Sequence, residues 1–483
     1  MAAENTPMNI GSRVEMMIDH ALIHRTYNVH LKLNPPTPRE IVLRMEMPWE
    51  GSGSGIYSNV FFDGEKYRMH YRASAALDAD TSDRKESQYN CLAVSTDGVH
   101  WERPILNQVE FLGNKENNIL FSGHMAHNFS PMLDPRPDCP PQERYKAVAG
   151  HAPQGLMGYK SADGLHWETL QDTPIITEGH FDSHNLCFYD ASIQKYRCYS
   201  RYFANPIGCG MNDISEDNGA WIAGSPVDGG SLSVDIRSIQ SCVSDDFLHW
   251  TQPVPNLYPA EIPQEQFYTN ATLPCPGAEH HILSFPMRFM CDRRKNPACA
   301  EPGVSDAVFL SSRDGIHFDR TFPESWIRPD LDPRNWTQRN FITAWGILQT
   351  SAEEFSFYVG EHYEWDDAYI RRYTVRRHGF GSVNASYSGG YFLTKPFIFD
   401  GSKLYLNYAT GAPGSIRVSI ANDGTGWPAP GFSAEDCDII YGNELEKAVT
   451  WRGNADLSQF AGKPIQLKFE MKDADLYAFH FGE

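Results

Sequence analysis

The feature that most constrains this chain is a seven-residue turn written four times. The copies are Ser95-Thr96-Asp97-Gly98-Val99-His100-Trp101, Ser161-Ala162-Asp163-Gly164-Leu165-His166-Trp167, Ser244-Asp245-Asp246-Phe247-Leu248-His249-Trp250 and Ser312-Arg313-Asp314-Gly315-Ile316-His317-Phe318. Their aromatic residues stand 66, 83 and 68 positions apart, the scale of one whole β-sheet per repeat. Each copy has the chemistry of a tight turn. The Asp side chain can bond the backbone two residues on, Gly takes positive φ at little cost, and the aromatic re-enters packed structure. One such turn predicts only itself; four in series predict a repeated sheet.

A cycle of strand, turn, Tyr-marked strand and box surrounds each copy. Its parts fall at residues 57–62, 66–72 and 93–101, then at 128–133, 144–150 and 158–167. They recur at 185–189, 195–201 and 239–250, and again at 271–273, 281–285 and 308–318. A fifth cycle at 344–349, 354–361 and 371–377 keeps the strands and lacks the box. The glycine run at 51–55 mimics a dinucleotide fingerprint, but a strand and the Asp63-Gly64 hairpin turn follow it where a helix would have to open. Five units of roughly four strands, closing on themselves, predict a five-bladed β-propeller over residues 46–383.

Residues 1–45 read as an N-terminal arm, with one alternating strand at 27–33 and a proline-rich break at 34–38. Beyond Ser388-Gly389-Gly390 the grammar changes to strands alternating with turns such as Asn422-Asp423-Gly424. Residues 416–420 and 465–471 have strict period two with one wet face, which predicts a C-terminal β-sandwich over 384–483. The whole chain is expected to be all-β.

Composition narrows the function classes. A net charge of −20 with no basic cluster argues against nucleic acid as partner, and no apolar run is long enough to span a membrane. The ten cysteines form no C-x-x-C pair and no zinc spacing, which suits buried thiols in a reducing compartment. Location is cytoplasmic by default, periplasmic or secreted if a signal peptide was removed. Nothing in the residues sets an oligomeric state.

The adjacent Asp-Gly boxes, five cycles and trailing sandwich resemble the five-bladed propeller glycoside hydrolases of families 32, 43 and 117, with the layout most like family 32. Family 130 mannoside phosphorylases share the propeller. The catalytic signatures W-M-N-D-P-N-G, R-D-P and E-C are missing from this sequence. The resemblance implies an axial pocket rimmed by the residues just before each blade's first strand. Carried over by position, these are Glu50, then His127-Asn128, then Asp182 with His184-Asn185, then Glu265 with Tyr268 and Asn270, then Arg339 through Trp345.

Glycosidic cleavage needs one group to protonate the leaving oxygen and a carboxylate to activate water or attack the anomeric carbon. Glu50, Asp182 and Glu265 are the expected catalytic set, converging on one pocket with Glu265 as the acid. Arg288 and Arg339 are candidates for an anionic sugar or for ion pairs across blades, and Glu361-His362 forms an acid–imidazole pair. The string His180-Phe181-Asp182-Ser183-His184 lacks a third distant ligand, so no metal centre and no cofactor are expected, beyond room for a structural Ca2+ or other ion near the axis. The leading expectation is an exo-acting glycoside hydrolase in polysaccharide degradation, with a carbohydrate as its partner. Its alternatives are a non-catalytic carbohydrate-binding propeller and a glycoside phosphorylase. The last requires a phosphate cluster, for which Arg288, Arg293, Arg294 and Lys295 are the candidates.

Overall fold

The computed structural model describes residues 7–74, 88–151, 154–204, 226–227, 231–232, 236–262, 265–290, 293–299, 303–422 and 426–483. Within them the chain is all-β, and its helical turns are short 3-10 segments such as His124–His127 and Pro333–Asn335. It divides into two compact units, Thr37–Thr350 with Ser356–Thr374, and Met1–Pro36 with Ser351–Phe355 and Val375–Glu483. The eight described cysteines are free thiols. Of the expected turn at 422–424, only Asn422 lies within the described residues.

In the larger unit four antiparallel meanders follow one another. The first is Ile56–Phe62, Tyr67–Ser74, Gln88–Ser95 and Ile119–Ser122; the second is Ser130–Leu133, Tyr145–His151, Gly155–Ser161 and Glu168–Thr169. The third is Leu186–Asp190, Lys195–Ala204, Ile236–Ser244 and Val254–Pro255. The fourth is Leu273–Cys275, Ala278–Ser284, Leu310–Ser312 and Phe318–Asp319. A fifth sheet orders Ile342–Thr343, Glu354–Glu361 and Tyr369–Arg376 and takes Thr37–Arg44 as its last strand. Along Tyr67–Ser74, Met69, Tyr71 and Ala73 alternate with His70 and Arg72, and all five are buried. Both faces of this strand are therefore covered.

The four boxes share one geometry. In each, Ser Oγ accepts from the backbone N–H three residues on at 2.9 Å, and Asp Oδ1 accepts the next two N–H groups beyond at 2.8–2.9 Å. The turn demands positive φ, which Gly98, Gly164 and Gly315 take at 72°, 71° and 80°. Phe247 takes it at 68°, bearing the strain of a bulky side chain in the left-handed region.

Contacts between the first strands, and the segments that lead into them, run from each sheet to the next. Asn59 Nδ2 donates to Pro131 O (3.2 Å), Asn128 Nδ2 to Phe181 O (2.6 Å) and Ser183 O (3.0 Å), and Asn270 Nδ2 to His184 O (3.0 Å). Trp345 Nε1 donates to Thr272 O (3.0 Å), and the Trp345 backbone exchanges bonds with Ser58 and Val60, which returns the series to the first sheet. At that last junction a Cβ on Gly346, whose φ is 132°, would stand 1.9 Å from Val60 O, so only glycine lets the two backbones approach.

The second and third sheets are also locked by charge. Asp134 takes Lys146 Nζ at 2.8 Å, the Tyr196 hydroxyl and Arg136, and Lys146 is itself buried. Burial works against the Asp134 charge, yet Lys146, Tyr196 and the Arg136 backbone N–H hold its carboxyl down to about 2. A carboxyl depressed in the fold stabilises above its unfolded value of about 3.9, and that contribution disappears as pH falls toward 2. The wild-type urea midpoint should therefore drop between pH 4 and 2. Asp134→Asn should start lower at pH 7 and show a shallower drop; equal slopes would contradict the assignment.

The smaller unit holds an eight-stranded sheet and a two-stranded parallel one, Met8–Gly11 with Phe397–Phe399. Its long strands Lys403–Ala421 and Gln466–Gly482 pair antiparallel along most of their length, from Lys403 opposite Gly482 to Ala421 opposite Gln466. Phe392 stacks on Phe469 at 4.6 Å, and Phe397, Phe399, Phe479 and Phe481 fill the same core. The expected arm over 1–45 is corrected here. Ile23–Tyr27 pairs with Gly390–Thr394, Val29–Leu33 pairs with Gly381–Ala385, and Thr37–Arg44 belongs to the fifth sheet of the larger unit. Ile23, Val29 and Leu33 are buried, so these strands need a sheet to cover them.

Candidate active site

The loop before Leu186–Asp190 carries one projecting carboxylate. Phe181 and Ser183 are buried, and their carbonyls are each held by two buried amides, Asn128 Nδ2 and Asn185 Nδ2. Between these pinned neighbours the Asp182 side chain is 64% exposed. The backbone is thus fixed while the carboxylate faces outward, the arrangement that a reacting group requires. His127 Nε2 lies 2.9 Å from Asp182 Oδ1, and His151 Nδ1 lies 3.9 Å from the same oxygen.

His127 is oriented from behind. Its Nδ1 is 3.3 Å from Arg72 Nη1, a donor, and 2.8 Å from Gln88 Oε1, an acceptor. Burial pushes His127 down to about 4 despite the pull of Asp182, so the ring is neutral at pH 7. The His127 contact holds the Asp182 carboxyl well below the usual carboxylate range, with Arg201 and His151 adding to it. Asp182 is therefore ionised. His151 stacks on His124 with ring centroids 3.8 Å apart.

Tyrosines and arginines complete the surroundings. Arg72 lies 5.3 Å from the Tyr57 ring centroid, Arg201 and Arg237 lie 5.7 and 5.4 Å from that of Tyr268, and Arg339 lies 5.0 Å from that of Tyr363. Burial, together with Tyr268 and Asp182, holds the Tyr57 phenol far up. Burial also raises Tyr268, but Arg339, Arg201 and Arg237 bring it below its ordinary value. Tyr57 adopts φ 53°, a left-handed conformation that costs a bulky residue free energy and is concentrated at functional sites.

The three expected catalytic carboxylates have three separate sets of partners. Glu50 is corrected: its carboxylate is 0% exposed and accepts from Arg103 Nε (2.9 Å) and Nη2 (2.8 Å), Tyr71 Oη (2.5 Å) and the backbone of Glu46 and Met47. It has no lone pair to offer a substrate. Glu265 joins Arg288 (2.7 Å) and Arg320 (2.5 Å), and Arg288 also pairs with Asp306. Glu265 and Arg288 border a cavity of about 500 Å3 with Met290 and Trp336, and its lining shares no residue with the surroundings of Asp182.

The other expected binding residues divide. His127, Tyr268 and Arg339 belong to the Asp182 surroundings. Asn128, Asn185 and Asn270 are buried clamps between strand starts, and His184 is buried neutral against Asn59 Oδ1 at 2.7 Å, pushed down to about 3 by burial. Trp345 links two sheets through its indole N–H. Glu361 takes Tyr369, Tyr373, Arg371 and Asn335, and His362 lies between Asp332 (3.2 Å) and Asp367 (3.1 Å). Arg294, of the expected phosphate cluster, donates to the carbonyls of Pro297 and Cys299. Sequence reasoning missed Tyr57, Arg72, His151, Arg201, Arg237 and Tyr363. A usable signal existed for two of them: Arg72 and Arg201 each stand five residues after the first tyrosine of the second strand, and His151 closes that strand in the cycle between.

No family model matches the chain, and no curated protein sequence matches it. Among solved structures it is similar to a glycosyl hydrolase from Bacteroides ovatus, at 12% identity and TM-score 0.40 over 75% of this chain and 96% of that one. It is similar to an N-acetylgalactosamine deacetylase from F. plautii in complex with blood group B trisaccharide, at 11% and 0.42 over 72% and 95%. A third is a structure from the family 130 of mannoside phosphorylases, containing glycoside hydrolases that target β-1,2-mannosidic linkages in Candida mannan, at 11% and 0.39 over 76% and 96%. At these values the functional reading rests on the site's own geometry.

Proposed function

We propose that this chain is a glycoside hydrolase, built as a five-bladed β-propeller with a C-terminal β-sandwich, in which Asp182 is the working carboxylate. The architecture is supported by the cycle of hydrogen bonds from each of five sheets to the next and back to the first. The chemistry is carried by one observation: an ionised, outward-facing carboxylate on a loop pinned at both flanks, with a neutral imidazole fixed behind it. Such a group stabilises positive charge at the anomeric carbon, either by attacking it or by drawing a proton from water.

A second group must protonate the leaving oxygen. His151, 3.9 Å from Asp182, is that donor in this reading. No cofactor is required. His151→Ala should lower turnover on glycans with poor leaving groups by about 10^2- to 10^4-fold and leave aryl glycosides nearly untouched. Equal losses on both would remove His151 from the role.

Incubation with a broad glycan panel tests the reading as a whole. The expected result is release of sugar with a new reducing end. Binding without release would favour a carbohydrate-binding propeller, and strict dependence on inorganic phosphate would favour a phosphorylase.

A further inference from the structure

Five arginines of the described chain are buried: Arg72, Arg197, Arg201, Arg320 and Arg372. Three carry a carboxylate. Arg197 pairs with Asp190 at 2.9 Å, Arg320 with Glu265 at 2.5 Å and Arg372 with Glu40 at 2.9 Å. This is what burial demands, because a guanidinium withdrawn from water needs an opposite charge. Arg72 and Arg201, 6% and 7% exposed, have no carboxylate within 4 Å among the described residues. Arg72 spends Nη2 on Gly53 O and the Tyr363 hydroxyl and Nη1 on His127, and its buried Nε has no acceptor. Arg201 donates Nε to His180 O at 3.3 Å and lies over Tyr268. Both of the exceptions lie in the surroundings of Asp182.

Accepting the proposed function above, on which this inference rests, we propose that the sugar bound beside Asp182 carries an oxyanion, a carboxylate or an ester sulfate, held by Arg72 and Arg201. The ligand supplies the negative charge that the described residues do not place against these two arginines. A planar guanidinium matches a carboxylate or sulfate with paired N–H donors, which an uncharged hydroxymethyl group cannot reproduce. Tyr57 and Tyr268 lie against these two guanidiniums and give them apolar faces. Arg237 and Arg339, also against this tyrosine group, add to the positive potential, although Arg339 shares its charge with Glu364 at 3.4 Å. Asp182 does not neutralise the pair by contact and repels the ligand's anion. The oxyanion must therefore sit on the arginine side, with the anomeric carbon toward Asp182.

The test is calorimetric titration of the wild-type protein with glucuronate, galacturonate, glucose, galactose, glucose 6-sulfate and inorganic phosphate. Paired cleavage assays compare uronic-acid glycans with the same glycans after reduction of the carboxyl to an alcohol. At least one charged sugar should bind about a hundredfold more tightly than its neutral counterpart, the range expected for hydrogen bonds to charged partners. The reduced glycan should show a raised KM. Arg201→Gln, and separately Arg72→Gln in case one of them disturbs folding, should bring charged-sugar affinity down to that of the neutral sugar. Equal affinity for charged and neutral sugars would overturn the proposal. So would phosphate binding alone, with sugar 1-phosphate as product. If no glycan in the panel is cleaved, the hydrolase reading fails, while the binding contrast still decides the charge of the ligand.

Discussion

Asp182→Asn is expected to reduce turnover by about a thousandfold or more while the protein unfolds at nearly the wild-type temperature. The two halves of that expectation come from different observations. The side chain is 64% exposed, and what holds the loop is the pair of amides from Asn128 and Asn185 on the neighbouring carbonyls, so the substitution leaves the clamp in place. The amide can accept a hydrogen bond but holds no negative charge. It can neither attack the anomeric carbon nor take a proton from water, and it offers little to an oxocarbenium-like transition state. Turnover on the best substrate of the panel and a thermal melt check both halves. A variant that keeps its fold and its rate would show that the exposed carboxylate is idle. The anomeric configuration of the first-formed sugar, followed by NMR on the wild type, then separates the two roles: retention marks a nucleophile and inversion marks a base.

How much of this was legible in the sequence depends on the range of the interaction. The boxes could be read because Ser95 to Trp101 satisfy one another within seven residues, and the same local bonds recur at Ser161, Ser244 and Ser312. The strands of the five sheets followed from the same local grammar. The N-terminal strands were misjudged because their partners, 381–385 and 390–394, are 348 or more positions away and nothing near Ile23 or Val29 announces them. The site divided in the same way. Asp182, His127, Tyr268 and Arg339 were within reach because each lies just before a first strand. Arg72, His151 and Arg201 lie at the far ends of second strands, and only the spacing between sheets gathers them. An acidic residue at a strand start could not be told from an acid that a distant arginine neutralises, which is where Glu50 went wrong.

Glu50→Gln is accordingly expected to act on stability rather than on chemistry, and to cost about 3–5 kcal/mol. The carboxylate is fully enclosed and receives five donors, two from Arg103, one from Tyr71 and two from the backbone at Glu46 and Met47. A glutamine side chain keeps one accepting oxygen and turns an NH2 group toward donors that cannot accept it. Arg103, whose side chain is only 18% exposed, is then left without its counter-charge. The urea midpoint should fall sharply, while the molecules that remain folded turn over substrate at the wild-type rate, because Glu50 faces Tyr71 and Arg103 and not the Asp182 group. Removing both charges together with the apolar pair Glu50→Met and Arg103→Met should recover much of the loss, since a buried ion pair contributes little beyond offsetting its own desolvation. Catalytic loss in Glu50→Gln at full stability would reverse the assignment and return Glu50 to the reacting groups.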